Sequence, residues 1–110
     1  MVSPAVHNVI AEHARRARHV FGGRILEIRL YGSFARGDAN ERSDVEVFVL
    51  LHDWCHDDWL QLVHTGAQVG LEAGLVLDLQ PLVMSEGEFE ELRRHDRRLI
   101  SDIRSEGVPY

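Results

Sequence analysis

Asp44 and Glu46 stand two residues apart in a run, Asp44 to Leu51, that also carries Val45, Val47, Val49 and Leu51. Side chains at i and i+2 of a strand share a face, so both carboxylates project together, ~6 to 7 Å apart. Held that close on a largely buried strand, they repel each other and lose hydration, and a divalent cation is the economical compensation. Asp78 interrupts a second apolar run, Leu75 to Val83, and reaches the same place if the two strands are neighbours. Three carboxylates on adjacent strands can hold two magnesium ions roughly 4 Å apart, a clamp for in-line displacement at phosphorus. Gly32-Ser33 closes an earlier strand, where glycine lets the backbone approach a phosphate while N–H groups and the Ser33 hydroxyl donate. Arg36 and Arg42 follow in the loop leading to Asp44, and either could lean onto a triphosphate, Arg36 before Arg42.

The elements that must position these residues are readable from periodicity. Ser3-Pro4 opens a helix whose Val6, Ile10, Ala14, Ala17 and Phe21 share one face, and Gly22-Gly23 ends it. Arg24 to Tyr31 alternates Leu26, Ile28 and Leu30 with Glu27, Arg29 and Tyr31, a strand with one buried face. Residues 34 to 43 form a loop or short helical turn before the Asp44 to Leu51 strand. A helix from Asp57 to about Leu75 turns Trp59, Leu62, Val63, Val69 and Ala73 inward, although Gly66, Gly70 and Gly74 lower its propensity. The third strand is Leu75 to Val83, with Pro81 placing its far end at an edge or out of the sheet. Ser85 and Glu88 form a capping box opening one final helix that carries Phe89, Leu92, Leu99, Ile100 and Ile103 inward. Helices packed on a small mixed sheet make an α+β, sandwich-like class, and 110 residues suffice for one domain, residues 1–110.

Gly32-Ser33, ten intervening residues and Asp44-Val45-Glu46 together resemble the motif of the polymerase-β-like nucleotidyltransferases. The wider run from Leu30 to Val49 is similar to the minimal nucleotidyltransferases, the MNT-type antitoxins paired with HEPN-domain toxins. The resemblance implies a palm-like domain that binds a magnesium–nucleoside triphosphate, two ions with ATP as substrate. It places Ser33 at the β and γ phosphates, Asp44 and Glu46 as metal ligands, and Asp78 as the third carboxylate that also helps deprotonate the attacking hydroxyl. The implied reaction transfers AMP to a hydroxyl, a tyrosine of the toxin. Glu46 departs from the aspartate usual in the minimal proteins, and its additional methylene moves the carboxylate outward by about 1 Å or more. A second reading is therefore an antitoxin that neutralises its partner by binding alone. A third is transfer to a small molecule such as an aminoglycoside, or to a nucleic-acid end, for which a homodimer or hetero-oligomer could build the pocket.

Composition narrows the alternatives. A hydrophobic fraction of 45% with 27% charged residues is that of a folded globular protein. A formal charge of −6 disfavours a protein whose work is gripping a nucleic-acid backbone, and favours a protein or mononucleotide partner. All twelve Lys+Arg residues are arginine, which removes P-loop and Schiff-base lysine chemistry. The lone Cys55 forms no internal disulfide, and no apolar stretch approaches the ~20 residues a membrane span needs, so a cytoplasmic protein is expected. The His52 to Asp57 segment lacks paired zinc-ligand spacing and reads as a solvated loop. The arginine-rich stretches around Arg15-Arg16 and Arg93 to Arg98 read as solvated helix faces.

Overall fold

The computed structural model describes residues 2–40 and 42–110. Helix α1 (Pro4–Phe21) begins where Ser3 Oγ accepts from Val6 N–H at 3.4 Å, and ends at Gly22, φ +58°. A 3₁₀ turn, Gly22–Arg24, leads into β1 (Ile25–Tyr31), then α2 (Ser33–Arg36) and β2 (Val45–Leu51). Helix α3 (His56–Glu72) precedes β3 (Leu79–Met84), α4 (Glu86–His95), α5 (Arg97–Glu106) and β4 (Val108–Pro109).

The sheet order is β3-β2-β1-β4. β1 runs antiparallel to β2 and β4, while β2 and β3, joined through α3, are parallel. The alternation in β2 works as expected: Val45, Val47, Val49 and Leu51 are all fully buried. They meet Ile10, Ala14 and Ala17 of α1 and Leu62 of α3 in the main core. Phe48 looks the other way and meets Phe89 of α4, ring centroids 5.5 Å apart, while Ile100 and Ile103 bury α5. Helices thus lie on both faces of the sheet.

Four sequence-based expectations need correction. A register shift between Ile25 and Glu27 rotates the start of β1, so Ile25 is buried and Leu26 is 46% exposed. The third strand begins at Leu79, not Leu75, because Gly74 (φ +69°) turns the chain out of α3 and pairing starts only where β2 does, at Val45. Val76 is consequently fully exposed, and Ala73 is an exposed helix cap. The final helix is two helices: Asp96 is non-helical (φ −129°, ψ 81°), its N–H closes α4 on Leu92 O, and its carboxylate starts α5 by accepting from Leu99 N–H at 3.1 Å.

Candidate functional site

The face of the sheet that carries Phe48 is covered by α4, whose first turn meets His52 and Trp54 just past β2, and by α5, whose Glu106 end reaches Arg36; the candidate residues gather where β1 ends and β2 begins. Glu46, two positions before Phe48, shares its face and is half-buried; Asp44, just ahead of the strand, is exposed. Antiparallel pairing sets Tyr31 beside Glu46, and parallel pairing sets Gln80 on its other side. Asp78 lies one step before the first β2–β3 pair, alongside Asp44, and its carbonyl accepts from Val45 N–H at 2.8 Å. Its loss from the strand therefore leaves its position in the register intact.

Gly32 is the tightest point of the arrangement. It is buried with φ +80°, and a Cβ built there would overlap Glu46 Oε2 and lie 3.1 Å from the carboxyl carbon. Only glycine lets the backbone between β1 and α2 pass this close to the carboxylate. Ser33 opens α2, whose turn is closed by Arg36 N–H donating to Gly32 O and by Gly37 and Asp38 N–H donating to Ser33 O, each 3.0 Å.

The side chains do not converge into one cluster. Asp78 Oδ1 accepts from Gln80 Nε2 at 2.6 Å, and among the described residues no three His, Cys, Asp or Glu side chains are grouped to hold a metal ion. The strand framework brings Asp44, Glu46 and Asp78 to one open end without grouping their carboxylates there. Arg36 is drawn off toward α5: its guanidinium donates to Glu106 Oε2 and to Asp38 Oδ2, both at 3.2 Å. Arg42 is exposed, in a turn where its N–H donates to Asn40 Oδ1 at 2.8 Å.

Tyr31 and Gln80 were not anticipated as site neighbours. The Tyr31 phenol is pushed up to about 12, first by burial and then by the Glu46 charge, so it remains a neutral hydrogen-bonding group beside that carboxylate. The signal available in the sequence was period 2: Gln80 shares a face with Asp78, and Tyr31 directly precedes Gly32.

The profile of the family described as "Nucleotidyltransferase domain" matches residues 10–108. Over 45 residues the chain is 38% identical to a Methanocaldococcus jannaschii protein provisionally named a protein adenylyltransferase; the match takes in 41% of this chain and only 31% of that relative. The fold superposes on a toxin–antitoxin crystal structure with AMP-PNP (TM-score 0.58, 16% identity, 88% of this chain and 68% of that one). It also superposes on a mutant of the MntA–HpeT toxin–antitoxin complex (TM-score 0.57, 16% identity, 87% and 68%). At that identity these structures establish a common fold, a mixed sheet flanked by helices.

Proposed function

Because this chain belongs to the nucleotidyltransferase domain family, we propose that it is a cytoplasmic antitoxin that transfers AMP from ATP to a hydroxyl, a tyrosine of a partner HEPN-domain toxin. One observation carries the reading: the Gly32 backbone lies directly against the Glu46 carboxylate, with Asp44 and Asp78 in register at the same open end. A phosphate-approaching turn and an acidic strand are thereby joined in one place. The protein adenylyltransferase name of one relative and the AMP-PNP of one structural neighbour support the nucleotide and the class of acceptor.

The donors suit magnesium, since all three are hard carboxylate oxygens and Asp78 is held only by a neutral amide. Asp44, Glu46 and Asp78 would hold the metal, which when bound supplies charge neutralisation at the phosphates. Gly32 and Ser33 bind the β and γ phosphates through the backbone and the hydroxyl. Asp78 receives the proton of the acceptor hydroxyl as its oxygen forms a bond to the α-phosphorus and pyrophosphate leaves. Arg36, released from Glu106, and Arg42 stabilise the developing charge.

Incubating the protein with magnesium, ATP and the HEPN-domain protein encoded beside it, then measuring the partner's intact mass, tests this. An AMP adduct whose formation EDTA prevents is expected. Glu46 favours one competing reading, neutralisation by binding alone: an unmodified partner that is nevertheless silenced would establish it and end the catalytic one.

A further inference from the structure

The formal charge of −6 is unevenly spread. Residues 93 to 104 hold five arginines (Arg93, Arg94, Arg97, Arg98, Arg104) against Asp96 and Asp102, so this stretch is +3 and the remainder −9. The break at Asp96 lets Arg93 and Arg94 of α4 and Arg97 and Arg104 of α5 line one concavity of about 470 Å³, with Ile100 and Ser101 completing it. Among the described residues no carboxylate lines it. Glu90 accepts from Arg93 Nε at 3.0 Å from one side, and Arg104 lies over the Phe89 ring at 5.3 Å. Among the described residues Arg94 and Arg97 enter no ion pair.

With Arg93 paired to Glu90 and Arg104 resting on Phe89, Arg94 and Arg97 are the two guanidiniums of the hollow without an ion pair among the described residues, and each presents a weakly hydrated planar fork that pairs with oxyanions two bonds at a time. Such a pair suits an incoming run of negative groups. We propose that the concavity between α4 and α5 is a docking site for an acidic segment of a protein partner. A nucleic-acid strand fits less well, since its phosphates continue past the hollow into the field of a remainder carrying −9. A protein segment confines its negative charge to a few side chains. Helix α5 runs from this hollow to Glu106, which holds Arg36 beside Gly32-Ser33. A body anchored here lies along the helix that leads to the open end of the sheet. Its service in seating an acceptor rests on the nucleotidyl-transfer reading; the docking site itself does not.

The test uses a short fluorescein-labelled peptide of alternating glutamate and alanine, an uncharged serine–alanine peptide, and a labelled oligothymidylate matched in charge to the first. Anisotropy titrations with the whole protein are expected to show saturable, salt-sensitive binding of the acidic peptide. Arg94→Glu/Arg97→Glu should weaken it about tenfold or more, while Arg94→Lys/Arg97→Lys, which keeps the charge but not the planar fork, should weaken it less than the charge reversal does. Undiminished binding by the charge-reversed protein, or tighter binding of the oligothymidylate or of the uncharged peptide, would overturn the proposal. Calorimetric titration of ATP into the same variants should match the wild type. A wild type that binds the acidic peptide but not ATP would defeat nucleotidyl transfer and leave the docking site standing.

Discussion

Gly32 couples backbone conformation to the candidate chemistry. An L-residue at φ +80° is strained by about 1–2 kcal/mol, and its Cβ would also displace Glu46. Gly32→Ala should therefore lower the melting temperature and abolish AMP transfer together, as thermal scanning and adduct mass would show. Glu46→Gln keeps the shape and removes the charge: the melting temperature should change little while transfer falls about 100-fold. If Glu46→Asp transfers as fast as the wild type, the longer acid is no handicap. That Glu46 lies on β2 with Asp44 two residues before it was legible because strand period is local, although β2 begins only at Val45 and leaves Asp44 ahead of it. Tyr31 and Gln80 were not, since their places beside Glu46 come from cross-strand register, which no spacing along one strand fixes.

Helices α1 and α3 are joined through His13, which is 1% exposed and donates from Nε2 to Leu62 O at 3.0 Å, leaving Nδ1 buried without a partner among the described residues. Burial lowers its pKa below the ordinary 6.5, the Leu62 bond opposing this more weakly. The unfolded chain then takes up this proton more readily than the folded one. Stability from this contact is complete above about pH 6.5 and is lost as the pH falls from there through the lowered folded value. Urea midpoints at pH 7.5 and 5.5 should reveal the loss, and His13→Leu should flatten it. On the other face, Ile103→Ala should cost about 2–5 kcal/mol by denaturant titration, because α5 is held by Ile100 and Ile103. The limits of α1 were legible from Ser3, Pro4 and Gly22, which act through their own neighbours. The split at Asp96 was not, because the same apolar spacing serves one helix or two. Gly66 reads locally as a weak helix residue, yet a Cβ there would stand 3.1 Å from Leu79 Cδ2, so its absence lets α3 settle onto β3.

At the scale of the whole molecule, one face of the sheet is sealed by α1 and α3 and the other is covered only in part. A ligand held at the uncovered end binds the folded state alone. ATP with magnesium at 100 times its dissociation constant should add about 2.7 kcal/mol, visible as a higher melting temperature that EDTA or Glu46→Gln removes. The α+β class was legible because every long element carries a clear period, whereas β4 is two residues long and carries none. The strand arrangement also governs how the molecule meets others of its kind. The bond from Val45 N–H to Asp78 O directs the polar groups of residues 78, 80 and 82 toward β2, so those of Pro81 point outward. There the ring nitrogen has no hydrogen, and the carbonyl is already taken by Trp59 Nε1–H at 3.4 Å. Beyond β1 the sheet presents only Val108–Pro109. A foreign strand laid along β3 meets, at Pro81, a gap at the middle of that edge, between the outward groups of Leu79 and Val83, which interrupts any continuous ladder there.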